Sequence, residues 1–208
     1  MFSDILFAPT SEAARNLRKG MVFVVGNTVI DSLKYMLKKL GRIRRGNYVV
    51  VAIHRQENVK NCKRLEKLVK IVRGLEMPVK LIAHPHFING LKRCGLYRDI
   101  KADRMVDVIP VMPYGEFIRL VAGSKGILTD SGGLSEECCE LGVLCLNFRR
   151  RTERPEAVSA GFAKMVIDMR VRDIRRMLSQ RPSGVNPYGD GYSGRKIVAI
   201  LEKLFHGF

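Results

Sequence analysis

Residues 126 to 141, "GILTDSGGLSEECCEL", set chemistry-bearing groups in an unusual order. An apolar run stops at Asp130, passes Ser131, Gly132 and Gly133, and enters a helix-forming segment with adjacent carboxylates at Glu136 and Glu137. If the run is a strand ending near Thr129, the helix begins about Gly133. Its first amides then have no intrahelical partners and lie at the positive end of the helix dipole. Small side chains at 131 to 133 let a phosphate approach those amides closely. The same residues also suit a plainer arrangement, in which Asp130 or Ser131 caps the helix and the glycines make a tight turn.

Three further apolar runs end in polar groups. "VVVAIHRQENVKN" puts His54, Arg55, Glu57 and Asn58 after a strand-like run, and His54 suits a hydrogen bond to phosphate or a proton transfer. A histidine that merely caps the next element is the alternative. "AHPHF" flanks Pro85 with His84 and His86, but no third ligand is identifiable, so a metal site is not expected. "FRRRTERPEAVSAG" offers guanidinium groups suited to bidentate phosphate contacts, Arg154 among them, although Arg154 can equally pair with Glu153 or Glu156. "GDGYSG" matches GxGxxG at Gly189, Gly191 and Gly194, yet it follows "NPY" and not a strand, so no dinucleotide fingerprint is read there. The Walker pattern GxxxxGK[ST] is absent, which leaves ATP hydrolysis unsupported. Together the strand ends favour a nucleotide or a sugar phosphate.

The elements that must position these groups follow from periodicity. Short β-branched runs at 21 to 25, 48 to 53, 79 to 83, 106 to 111, 126 to 129 and 143 to 148 imply buried strands. Helix patterns fall between them near 11 to 19, 28 to 40, 61 to 74, 88 to 96, 114 to 123 and 133 to 141. This alternation argues an α/β fold, a parallel sheet with helices on both faces, whose ligands bind beyond the carboxyl ends of the strands. After residue 148 come a helix near 171 to 180, a loop, and a last helix near 194 to 206. No linker-like composition separates this tail, so it reads as an extension of one domain. The last helix gathers Ile197, Ile200, Leu201 and Leu204 on one face, which something must cover.

Bulk properties narrow the partners. With 37 Lys and Arg against 20 Asp and Glu, the 208-residue chain carries a formal charge of +17, which attracts anions. Much of that excess alternates with apolar residues at helical spacing and reads as solvated helix faces. No apolar run approaches the roughly 20 residues that span a bilayer, and "MFSDILFAPTSEAARNL" lacks the features of a signal peptide. Cys62, Cys94, Cys138, Cys139 and Cys145 show no CxxC pair or zinc spacing, so reduced thiols in a cytoplasmic protein are expected, with Cys138 and Cys139 in packing roles.

Taken in order, "FAPTSEAARNL", "VVGNTVIDSL", "HRQEN", "TDSGGLSEE", "TERPEA" and "NPYGDG" resemble the non-hydrolysing UDP-N-acetylglucosamine 2-epimerase family across residues 7 to 191. The resemblance implies a Rossmann-like domain that is one half of a two-Rossmann-domain enzyme of the GT-B type, working without a cofactor. Such enzymes interconvert UDP-GlcNAc and UDP-ManNAc by eliminating UDP and adding it back. On this chain it implies residues 1–40 as the remnant of an amino-terminal domain and crossover, 41–185 as the UDP-binding domain, and 186–208 as a terminal loop and crossover helix. Ser131, Gly132 and Gly133 would hold the diphosphate, Glu137 the ribose hydroxyls, and Phe117 the uracil, although plain core packing also suits Phe117. His54 matches the family's active-site histidine, and Arg154 joins the UDP ligands.

The departures matter too. Ser135 stands where the family usually has Gln, "RRRTERPE" where it has "RDTTERPE", and "VKN" follows "HRQEN" where it has a glycine. The chain begins well inside the family sequence, without the "GTRPE"-like loop and the acidic residues assigned to proton transfer at C2. Moving that proton requires a positioned acid or base. The expectation is therefore a UDP-binding half that is inactive until an amino-terminal domain completes it. The exposed face of the last helix predicts self-association or a second subunit. A polyanion- or nucleic-acid-binding module is the alternative, although the chain has no RNA-binding aromatic motif.

Overall fold

The computed structural model describes residues 3–205. They divide into two units: the described residues up to Gly41 together with those from Val185 onward, and Arg42–Gly184. The first unit opens with β1 (Ile5–Ala8), α1 (Ser11–Arg15), β2 (Met21–Val24) and α2 (Thr28–Leu40). The second runs β3 (Val49–Ala52), α3 (Gln56–Val59), α4 (Cys62–Gly74), β4 (Val79–Ile82), α5 (Pro85–Arg93), α6 (Tyr97–Ala102), β5 (Val106–Ile109), α7 (Tyr114–Gly123), β6 (Gly126–Thr129), α8 (Gly132–Leu141), β7 (Leu144–Asn147), α9 (Pro155–Ser159), β8 (Ala163–Met165) and α10 (Val171–Leu178). The chain then returns to the first unit with α11 (Ser193–Phe205).

In the first unit β1 and β2 pair in parallel, Ile5 opposite Met21 and Ala8 opposite Val24. The run at 21 to 25 is a strand as expected, but it belongs to this small sheet and not to the main one. Its partner β1 is too short and too uniformly apolar to show a period. At the start of α11 the Ser193 and Gly194 amides donate to the Asp31 carboxylate at 3.0 and 2.7 Å. That helix start is therefore already occupied by an internal anion. A Cβ on Gly189 would stand 3.1 Å from the Gly26 Cα, so the glycine serves a close backbone approach. Both facts agree with rejecting a dinucleotide fingerprint at "GDGYSG".

The second unit holds a six-stranded sheet in the order β5-β4-β3-β6-β7-β8, with every pair parallel. Counted from β3 this is the order 3-2-1-4-5-6 of a Rossmann-like sheet. Strands β6 and β7 are buried along their whole length, as parallel strands with both faces covered must be. The core beside the sheet joins Val49, Val51, Leu81, Leu128 and Leu146 to Leu65, Leu68 and Phe87 from the covering helices. Charge on α4 stays on the solvent side, where Lys63, Glu66, Lys70 and Arg73 are exposed.

Differences from the sequence expectations have local causes. Helix α5 starts at Pro85, three residues earlier than expected, because proline suits the first helical position. Helices α3, α6 and α9 and strand β8 span too few residues for a period to register. The last helix begins at Ser193, and residue 206 of its expected span lies outside the described residues.

The cysteines correct an expectation. Cys62 and Cys94 form a disulfide across 32 residues, joining the first residue of α4 to the C-cap of α5. The two positions are far apart in sequence and become neighbours only through helix packing. Cys138, Cys139 and Cys145 are free and buried, and burial pushes the Cys139 thiol up to about 12, as suits packing residues. Closing a loop of this length restricts the unfolded chain. Reduction should therefore lower the unfolding free energy by about 4 kcal/mol, seen as a lower urea midpoint in reductant. A midpoint indifferent to reductant would contradict the bond's contribution.

Candidate functional site

A parallel sheet of this order reverses between its two central strands, and loops leaving them diverge to opposite faces. Here those strands are β3 and β6, which end at Ala52 and Thr129, shortly before His54 and Asp130. Asp130 is fully buried. Its carboxylate accepts the His54 amide at 3.1 Å, the Arg55 amide at 3.0 Å and Asn58 Nδ2 at 2.8 Å. Four interactions satisfy a charge that burial would otherwise penalise heavily, because the His54 ring also places Nδ1 3.2 Å from Oδ1. A carboxylate only accepts, so Nδ1 carries a proton and Nε2 of the half-exposed ring is left for a ligand. Asn58, also buried, reaches the Phe148 carbonyl with Nδ2 and accepts from Arg64 with Oδ1 at 2.9 Å. One carboxylate thus ties together the loops after β3 and β6, and Asn58 extends the tie to the end of β7.

With Asp130 engaged, Ser131 is the N-cap of α8, but its hydroxyl accepts from the Leu134 amide only at 3.5 Å. Helix α8 starts at Gly132, one residue before the expected position. Neither Gly132 nor Gly133 has a positive φ. A Cβ on Gly133 would meet nothing within 4 Å, and one on Gly132 would make ordinary 3.7 Å contacts with Arg149 Nη1 and Glu153 Oε2. The fold does not require glycine at either position. Nothing in the sequence separates Arg149 from the other guanidinium groups of "FRRR". Its side chain is almost wholly buried, and it forms a two-bonded pair with Glu153 at 2.6 and 2.5 Å. That guanidinium holds the Glu153 carboxyl down at about 2.

A cavity of about 200 Å³ opens beside the helix start, lined among others by His54, His84, Phe117, Ser131 and Leu134. It brings together His54, Phe117 and Ser131, which come from three separate segments of sequence. Phe117 is half-buried against this cavity and is not a sealed core residue. His84 joins them, a placement that two histidines flanking Pro85 in the sequence do not reveal. Its ring centroid lies 6.1 Å from that of His54 and 5.4 Å from that of His86. Burial and the two neighbouring imidazoles lower its pKa, so His84 is neutral at pH 7. Its Nδ1 is buried without a hydrogen-bond partner among the described residues. No group of three or more His, Cys, Asp or Glu side chains among the described residues is arranged to hold a metal ion.

The remaining candidates separate. Glu137 lies one turn along α8 from Leu134 and accepts a 2.6 Å hydrogen bond from the Tyr114 hydroxyl. Burial pushes its carboxyl up, against the opposing pull of that bond. Glu136 is buried and paired with Arg154, whose Nη1 also donates to the Glu153 carbonyl at 3.1 Å. The sequence alternatives for Arg154 were Glu153 or Glu156. The observed carboxylate partner is 18 residues away, reached because α8 and the loop after β7 lie side by side. Ser135 points into the sheet, bonded to Cys145 and to Asn147 at 3.3 Å, so its departure from the family pattern concerns packing.

Comparison with known proteins agrees with the geometry. The family model described as UDP-N-acetylglucosamine 2-epimerase matches residues 1–202. The UDP-N-acetylglucosamine 2-epimerase of Methanocaldococcus jannaschii is 36% identical over 96% of this chain and 61% of its own length. That of Bacillus subtilis is 32% identical over 98% and 58%. Among solved structures, the Methanocaldococcus jannaschii enzyme in complex with UDP-GlcNAc and UDP superposes with a TM-score of 0.86 at 32% identity, covering 96% of this chain and 61% of that one. The Neisseria meningitidis enzyme bound to UDP-GlcNAc gives a TM-score of 0.79 at 26% identity, covering 97% and 62%. The chain thus spans about 61% of the length of its first curated relative. A matched model over residues 1–202, with a relative 36% identical over 96% of this chain, places this protein in the UDP-N-acetylglucosamine 2-epimerase family.

Proposed function

We propose that this chain is the UDP-binding part of a UDP-N-acetylglucosamine 2-epimerase and acts on UDP-GlcNAc only when further chain supplies the acid–base groups at C2. The observation that carries the reading is the start of α8, where the fold requires glycine at neither Gly132 nor Gly133 and open space lies beside Gly133. In this reading the diphosphate sits against the Gly132 and Gly133 amides, with the Arg149 guanidinium beside them. With Nδ1–H held by Asp130, His54 donates to the same phosphates through Nε2 as the imidazolium and accepts a proton there as the neutral ring. Phe117 packs on the uracil and Glu137 accepts from the ribose hydroxyls. Arg154 pairs with Glu136 through Nε, which anchors α8 to the loop after β7, and its half-exposed guanidinium is a further ligand for the nucleotide.

Elimination breaks the C1–O bond and leaves negative charge on the departing UDP. Amides and a guanidinium fixed in advance stabilise that charge without reorganising. None of these groups is assigned to the C2 proton. We place the protein in the cytoplasm, where the Cys62–Cys94 disulfide is an exception to the usual reduced state of thiols; no described helix is long and apolar enough to cross a membrane. A second copy or an amino-terminal-domain chain covers the apolar face of α11. Supporting this, Ile197, Ile200, Leu201 and Leu204 are each left only half-buried.

Three outcomes test the reading. The purified chain should bind UDP by calorimetry and leave UDP-GlcNAc unepimerised; deuterium incorporation at C2 by this chain alone would overturn it. Steep salt dependence without competition by UDP would instead favour a polyanion ligand. Gly133→Ala should separate folding from binding, since alanine favours the helix by up to about 1 kcal/mol. It should hold or raise the melting temperature while weakening UDP about 10-fold or more through one lost charge-assisted bond. Unchanged affinity would remove the helix start from the site. Sedimentation should show a dimer or larger species, whereas a strict monomer at all concentrations would contradict the covered face.

A further inference from the structure

Tyr114 and Phe117 lie one turn apart on α7 and so share a face, and Leu134 and Glu137 are related in the same way on α8. Phe117 and Leu134 line the cavity. At the next turn along, the Tyr114 hydroxyl donates to Glu137 Oε1 at 2.6 Å, within the range for a hydroxyl bonded to an ionised carboxylate. Tyr114 is 43% exposed, so the contact is not a by-product of core packing. A carboxylate offers about four lone-pair positions. The tyrosine takes one of them on Oε1 and leaves Oε2 without a hydrogen bond among the described residues.

A vicinal diol needs acceptor positions at fixed spacing. An unrestrained glutamate must give up rotamer freedom to provide them, and that cost is subtracted from affinity. We propose that Tyr114 is a positioning residue that presets Glu137 for the ribose diol of the nucleotide, and so sets the preference of the site for ribonucleotides over nucleotides without those hydroxyls. The proposal rests on the reading of Glu137 as the ribose ligand. Tyr114 remains a donor throughout the working pH range, because burial and its bond to Glu137 push its pKa upward. It therefore holds the carboxylate without competing for the proton.

Calorimetry of the purified 208-residue chain with UDP and with 2′,3′-dideoxy-UDP tests this. Wild-type protein should bind UDP more tightly than the dideoxy nucleotide. Tyr114→Phe, which keeps the ring and its packing, should weaken UDP about 3- to 10-fold and leave dideoxy-UDP unchanged. Glu137→Gln should likewise weaken UDP selectively. If Glu137→Gln is selective but Tyr114→Phe has no effect, or weakens both nucleotides equally, the positioning role is overturned and the ribose reading stands. If Glu137→Gln leaves the ratio of the two affinities unchanged, the ribose reading itself fails and the role of Tyr114 falls with it.

Discussion

The buried carboxylate of Asp130 is the interaction on which the site depends. It directly follows one central strand and accepts from two backbone amides and a side-chain amide in the segment that follows the other. Backbone donors fix its position and, through it, the direction in which the chain leaves β3. The His54 imidazole is set by the same group, so a change in the carboxylate moves the backbone and the titratable ring together. Burial makes this arrangement all-or-none, since a buried charge that loses partners is costly and one with all its partners is rigid. Ser131 and the glycines then follow from where Asp130 is not: it faces the neighbouring loop, and the helix start is left to a weak cap.

The alternation of β-branched runs and amphipathic helices carried much of the fold. Five of the six strand runs lie in the main sheet close to their expected bounds, because parallel strands buried on both faces are continuous apolar stretches. The run at 21 to 25 is indistinguishable from these by composition, and only its partner, β1, tells that it belongs elsewhere. The sixth place is taken by β8, whose three residues carry no pattern at all. Register and membership of a sheet are set by partners, which a linear reading does not contain.

The site was legible where chemistry sits at a strand end and illegible where it depends on what lies across a gap. His54, Ser131 and Phe117 converge on one cavity, although 77 residues of sequence separate the first two. Arg154 and Arg149 were not distinguishable within a run of guanidinium groups. Their roles diverge because one reaches a buried glutamate on α8, while the other lies against the helix start. Asp130 was read as a possible cap, and its real partners are 72 to 76 residues earlier in the chain.

The disulfide has a consequence for the chain as a covalent object. Cys62 and Cys94 close a ring that contains α4, β4 and the whole of α5, and with them the loop carrying His84. A single backbone cut anywhere inside that ring opens it without releasing a fragment. His84 would stay linked to the segment that bears His54, and both imidazoles of the cavity would remain on one molecule after nicking. Connectivity at this part of the wall is therefore held twice, once by peptide bonds and once by sulfur.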